Sequence, residues 1–481
     1  MPSSLRASLP FVESSPLRPR RSCIPACLGA SVATLLFANP PSTHAANWLP
    51  DTGDSWATGT NWDTGIVPDA VGASANFFFT APAANRTITN DSGAAGFTVG
   101  SILFNLDNGG TRTNSLTTGT SGSKLILDNG GAGVTITTMG TGTGNSSISV
   151  PTNFAESVTA IVNQEAATSA AGSLNLTATI TGFGGFTKEG DGVATFGTGA
   201  KTYAGATVLS GGRMRISVSG MPTATSSFTI NAGAQFTPIT AGTYSFGSGP
   251  LNLNGSGPTT GAIASFPGAI RGNTNLAASI ANPTVLQSDT LLHVEGMTSG
   301  SLTFTNTVSG PGQLIFTAPD SSSNQGQLVL EATNSYSGGT LINGGTLLLS
   351  LAGSLGTGDI FVDNLLSPDS NAVLRITTGV LDAIADTATL SLAGGGFTGF
   401  ADTGFVDLET GVNETVGSLL LGGMMQGAGT YGSTTSAASF QNDEYFSGDG
   451  IVTVVPEPGA VATMVGSLGL LLLGRRRRQG I

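Results

Sequence analysis

Two segments of this chain repeat one another, and that repeat restricts the fold more than any other feature. Tyr203-Ala-Gly205-Ala-Thr207-Val-Leu-Ser-Gly211-Gly212-Arg-Met-Arg-Ile-Ser217 aligns with Tyr336-Ser-Gly338-Gly-Thr340-Leu-Ile-Asn-Gly344-Gly345-Thr-Leu-Leu-Leu-Ser350, with six positions identical. Gly-rich lead-ins precede both, from Thr181 and from Ser309. In each copy Thr207 or Thr340 opens a short apolar strand. The glycine pair then turns the chain at backbone angles that other residues resist. Met214 to Ile216, or Leu347 to Leu349, supplies a second strand. One such unit cannot bury its own apolar face, so units must stack on one another. Short runs elsewhere continue the pattern: Leu125-Ile-Leu127, Leu174-Asn-Leu176, Leu251-Asn-Leu253, Leu302-Thr-Phe304 and Leu328-Val-Leu330. Several alternate strictly, as half-buried strands do. The expected fold is all-β, a right-handed parallel β-helix or solenoid over residues 47–455. About twenty rungs spaced by about 4.8 Å would make a body about 95 Å long. Residues 111–170 and 365–400 carry the weakest pattern and read as irregular rungs or loops.

Composition supports this reading. Of 481 residues, 71 are glycine and only 10% are charged, which disfavours helix because the charged straight-chain residues are good helix formers. Disorder is disfavoured by the 39% of hydrophobic residues. Setting aside Arg6, Arg18, Arg20, Arg21, Arg475 to Arg478, Glu13 and Glu457 leaves nine basic residues against 27 acids, a body near −18. A nucleic-acid or anionic-lipid binder would carry the opposite sign. Both cysteines, Cys23 and Cys27, precede residue 46, so the body has no disulfide and no thiolate metal ligand.

The two ends read as addresses. Arg18, Arg20 and Arg21 precede a mostly apolar run, Ile24 to Ala38, and Thr43-His44-Ala45 is a small-x-small site. This is a signal-peptide pattern over residues 1–46, with cleavage by signal peptidase after Ala45 or Ala46. At the other end, Pro456-Glu457-Pro458 precedes the apolar run Gly459 to Gly474 and then Arg475, Arg476, Arg477 and Arg478. Sixteen helical residues rise about 24 Å against a hydrocarbon core of about 30 Å. The span is marginal, with the arginines snorkelling on the cytoplasmic side. The plain alternative is a single-pass anchor.

Residues 456–481 resemble the PEP-CTERM sorting signal of exported bacterial proteins, with motif, short transmembrane helix and basic cluster in order. The resemblance implies recognition of Pro456, Glu457, Pro458 and the arginines by an exosortase, transient inner-membrane anchoring through 459–474, and delivery to the cell surface, outer membrane or exopolysaccharide matrix. The two internal copies, within 181–217 and 309–350, resemble the autotransporter-associated β-strand repeat. Residues 336–349 match its Tyr-x-Gly-Gly-Thr core closely, while 203–216 depart from it at Ala206 and Arg213. The segments Trp48 to Phe77 and Gly429 to Gly450 resemble modules that accompany such tails and read as first and last rungs.

No catalytic set stands out. The body's one histidine, His293, sits in the strand pattern Leu291-Leu-His-Val294 and lacks a nucleophile elbow to serve. The closest acid pairs are Glu189-Gly-Asp191 and Asp443-Glu444. The six Arg and three Lys of the body are widely spaced along the chain. No calcium-loop motif appears, and no cofactor is implied. Trp48, Trp56 and Trp62 cluster near the N-terminus, as a packed cap or as sugar-stacking rings. The leading expectation is a structural or adhesive surface protein and not an enzyme. The alternatives are a carbohydrate-binding protein and a polysaccharide-degrading enzyme with two carboxylates facing one groove.

Overall fold

The computed structural model describes residues 45–455 apart from 79–84, 107–111, 141–143, 164–172, 260–266, 274, 297–299, 319–325, 364–370, 396–398 and 400. The leader up to His44 and the tail 456–481, with its expected transmembrane helix, lie outside the described residues. Among the described residues the regular structure is strand, apart from three short 3-10 turns at Gly59–Asn61, Gly93–Ala95 and Val218–Gly220. No described helix is long and apolar enough to cross a membrane.

The strands stack in parallel, as a solenoid requires. The longest succession of pairings runs from Asp54–Ser55 through Arg86–Asn90, Asn114–Thr118, Ser146–Ser149 and Leu174–Leu176 to Val193–Phe196. It continues through Gly212–Ile216, Ala234–Pro238, Ile270–Gly272, Thr284–Val294 and Leu314–Thr317. Thr340–Ile342, Ile360–Val362, Thr389–Leu392 and Ser418–Leu421 complete it. These fifteen strands stack over about 70 Å at the usual strand spacing. The stack is shorter than twenty rungs because the rungs are unequal. Thr207 lies beside Phe228, but Ile102 lies beside Ile136 and Leu251 beside Thr284.

Two further faces flank this one. The first runs from Ala46–Asn47 through the opening residues of Thr284–Val294 to Val308–Ser309. The third runs over Phe97–Val99, Leu125–Leu127, Thr152–Phe154 and Ile180–Gly182. It continues as single bridges at Lys201 and Pro222 and resumes as the sheet from Gly242–Tyr244 to Phe446–Ser447. Side chains alternate between core and exterior, so Val158, Ala160 and Val162 are buried while Thr159 and Ile161 face outward.

The two repeat copies build the same local object on different faces. In the first, Phe186–Glu189 pairs with Thr207–Leu209 on the first face, and Val193–Phe196 with Gly212–Ile216 on the second. In the second copy the same two pairings fall on the second and third faces: Leu314–Thr317 with Thr340–Ile342, and Gln327–Leu330 with Gly345–Leu349. The shift follows from Thr284–Val294, eleven residues long, which serves the first face with its start and the second with its end. The repeating unit is therefore the two-strand corner and not the whole rung.

Each conserved position of the corner has a reason. Gly212 and Gly345 sit at φ 61° and 78°, where a side chain is strained. A Cβ on Gly205 would lie 2.3 Å from Gly185 N, and one on Gly338 2.3 Å from Gln313 N, both backbone of the preceding rung. The buried Tyr203 and Tyr336 hydroxyls hydrogen-bond Thr207 Oγ1 and Thr340 Oγ1, each at 2.7 Å.

The weakly patterned residues 111–170 and 365–400 are in good part regular rungs. Asn114–Thr118, Val134–Met139, Ser146–Ser149, Val158–Val162, Ala372–Ile376 and Thr389–Leu392 all pair in register. Their apolar alternation is diluted because core positions hold polar groups. Arg86, Asn114 and Ser146 stack inward as one register row and are fully buried.

The corner geometry yields a prediction. Gly338→Ala drives a methyl group into the neighbouring rung and lowers stability by about 1–3 kcal/mol. Tyr336→Phe, which strands Thr340 Oγ1 and the Gly356 N–H but adds no clash, costs about 1 kcal/mol. Urea unfolding of the two variants checks the order, and equal losses would contradict it.

Candidate functional site

The acid pairs serve the frame. Asp443 accepts hydrogen bonds from Thr434 N at 2.7 Å and Thr434 Oγ1 at 2.8 Å. Its neighbour Glu444 accepts one from Gly395 N at 2.6 Å. The same use recurs from rung to rung. Asp69 accepts from Thr98 N, Asp289 from Gln313 N and Asp359 from Thr389 N, at 2.8–3.0 Å. Glu156 accepts from Gly131 N, from Gly133 N at 2.9 Å and from Asn129 N at 3.2 Å, and the Gly131 bond foremost holds its carboxyl below the usual range. Much of the acid surplus is thus spent on backbone N–H groups where one rung turns into the next.

Glu189 and Asp191 flank a buried lysine. Lys188 points inward beside Phe186, and its ammonium donates to the carbonyls of Glu189 at 3.1 Å, Gly190 at 2.5 Å and Gly211 at 2.8 Å. Burial pushes its pKa down to about 7, opposed by Asp191 and Glu189. The second copy of the repeat places Phe316 in the corresponding strand position. Lys201, also buried, donates to Ala178 O at 3.0 Å and to Gly199 O, and its ammonium lies 5.4 Å from the Phe196 ring centre. Burial lowers its pKa to about 8.

Three of the body's widely spaced arginines meet on the outward side of the second face. The register row Thr195, Arg215, Thr237 is followed on the same face by the row Arg271, His293, Thr317. Arg213 Nε donates to Gln235 Oε1 at 2.7 Å, and Gln235 Nε2 donates to Gly268 O at 2.9 Å, tying the backbone at Pro267–Gly268 across the face. Arg271 binds Glu295 through Nε at 2.9 Å and Nη2 at 2.5 Å. Burial, then Arg271 and Arg215, lower Arg213 to about 10, with Glu295 opposing. His293 is 6% exposed, and burial pushes it down to about 4 despite Glu295. It is therefore neutral at pH 7 and poorly matched to proton transfer there. Sequence spacing hid this cluster, because Arg271 and His293 lie two and three rungs from the strand of Arg213 and Arg215.

The remaining candidates fall as follows. Trp48, Trp56 and Trp62 are all buried, packed edge to face around Phe77, with Trp62 Nε1 bonded to Trp56 O at 3.0 Å. They form a core cluster and offer no open ring to a sugar. Ala45 is exposed, whereas Ala46 is buried and pairs with Ala75. Pro456, Glu457, Pro458 and Arg475 to Arg478 lie outside the described residues, as do Cys23 and Cys27. Among the described residues no cluster of three or more His, Cys, Asp or Glu is arranged to hold a metal.

Residues 186–216 and 323–349 match the family described as passenger-associated-transport-repeat. These matches fall on the two corner units. No curated protein and no solved structure matches the chain.

Lys188 and Lys201 set a pH dependence. Their folded-state values, about 7 and about 8, lie below the ordinary lysine value of about 10.4. Between those limits the unfolded chain binds more protons, so stability rises with pH. Urea unfolding at pH 7 and pH 9.5 should show the rise, and Lys188→Met with Lys201→Met should flatten it. An unchanged slope in the double variant would rule out these lysines as its source.

Proposed function

We propose that this chain is an exported bacterial surface protein whose β-solenoid body has a structural or adhesive role and no catalytic one. The observation that carries the proposal is the coincidence of the two passenger-repeat matches with stacked corner units in a parallel β body. Repeats of this description belong with segments transported out of the cell. The Pro456-Glu457-Pro458 tail supports processing by an exosortase, with Arg475 to Arg478 left cytoplasmic. The non-catalytic reading is favoured by the acid pairs, since Asp443 and Glu444 are tied to backbone or hydroxyl groups and Glu189 and Asp191 flank a buried lysine. Sugar binding through the tryptophans is disfavoured by their burial.

Of the two cleavage sites, the burial of Ala46 favours the one after Ala45. Cutting after Ala46 would remove a buried residue from the first strand pair, while cutting after Ala45 leaves that pair intact. The test is intact mass and location in the native cells. The expected product starts at Ala46, lacks the residues after about 456, and is found in the surface or matrix fraction. A product keeping Arg475 to Arg478 in the inner membrane would overturn the sorting proposal.

A further inference from the structure

The third face carries an open groove of about 350 Å³ lined by Lys124, Ile126, Asn153, Thr179 and Thr181. Ile126, Asn153 and Thr181 form one outward register row, rung upon rung, and Asn153 Nδ2 donates to Thr181 Oγ1 at 3.2 Å. The Lys124 stem lies along the groove wall. A Cβ built on Gly96 would meet its Cγ at 2.8 Å and Ile126 Cδ1 at 3.2 Å, so glycine at 96 makes the room in which lysine and isoleucine lie side by side. Two residues past Thr181 stands Phe183, 89% exposed, the most exposed large hydrophobic side chain among the described residues. A ring left this far in water, two residues along the chain from Thr181, adds little to the core.

We infer that this groove, together with the exposed Phe183 two residues beyond its Thr181, binds a neutral, hydroxyl-rich glycan. The chemistry selects that class. A peptide adding to a β protein uses open backbone edges, but here the strands of this face pair on both sides. Recognition therefore falls to side chains. Lys124 and Asn153 donate, the threonine hydroxyls donate or accept, Ile126 gives a flat apolar floor, and Phe183 offers a ring face to sugar C–H groups. A polyanionic glycan is disfavoured by a body near −18. The inference goes beyond the surface role proposed above and holds wherever the protein is delivered.

The test is affinity electrophoresis of the full-length chain in mild detergent through gels containing dextran, soluble starch, a mixed-linkage β-glucan or polygalacturonate. Wild type should be retarded by at least one neutral glucan and not by polygalacturonate. Phe183→Ala should raise the apparent dissociation constant at least tenfold and Asn153→Ala at least threefold. Phe361→Ala, which removes a 42% exposed ring from the second face, should leave it unchanged. Circular dichroism confirms that each variant is folded. Failure to bind any of the neutral glucans overturns the inference, and so does retardation by polygalacturonate alone. Equal loss in Phe183→Ala and Phe361→Ala also overturns it, as unspecific aromatic adhesion.

Discussion

Each rung of this body hands its backbone N–H and C=O groups to the rungs above and below, and a parallel stack so built has two ends that no further rung satisfies. An open β edge invites pairing with another chain. The two ends answer that hazard by leaving the parallel pattern. At the N-terminal end Trp48 bridges Trp62 in antiparallel fashion, and the three indoles close the core over Phe77. At the C-terminal end Met424–Met425 folds back on Leu420–Leu421, and Gly429–Gly432 runs antiparallel to Ile451–Val454. Large apolar rings at one end and short reversed strands at the other serve the same physical need.

Between the ends the corners govern. A chain that turns this often needs residues that tolerate unusual backbone angles and groups that satisfy the N–H donors freed at each turn. Glycine supplies the first and carboxylates much of the second. That division explains how a protein with so few charged residues carries such an excess of acid. Hydrogen bonding in one case and burial in the other shift two glutamates in opposite directions. Glu156, half-exposed among several N–H donors, is held below the usual carboxylate range, while Glu414, buried and facing Ile384 N at 2.9 Å, is pushed above it. The two lysines invert the scheme, filling corners where carbonyl oxygens converge.

How much of this was legible in the sequence depended on range. The corner unit was readable because its determinants, Tyr336, Gly338, Thr340 and Gly345, lie within ten residues and were present twice. Strand type followed from Leu125-Ile-Leu127 and its kin. Rungs through Asn114 and Ser146 were obscured because a β core tolerates a polar row when its members stack on one another, and alternation alone reads such positions as exterior. The meeting of Arg213, Arg271 and His293 was not legible, since it depends on loop lengths between strands that follow no fixed period. The tryptophans were visible as a cluster, but only packing decides whether a ring faces water.

The outward rows differ in chemistry along the stack. In the first half, Ser74 meets Ser101 at 2.7 Å, Ser147 meets Ser115 at 3.1 Å and Ser149 meets Thr177 at 2.7 Å, a hydrophilic exterior of side-chain ladders. Further on, Leu291, Ile315, Leu341 and Phe361 stand in one outward register row. A change in an outward residue leaves the backbone pairing and the inward row untouched, so the faces can diverge in chemistry at little cost to the frame. Whatever this protein touches along its length meets side chains rather than backbone, and its specificity is written rung by rung in those outward rows.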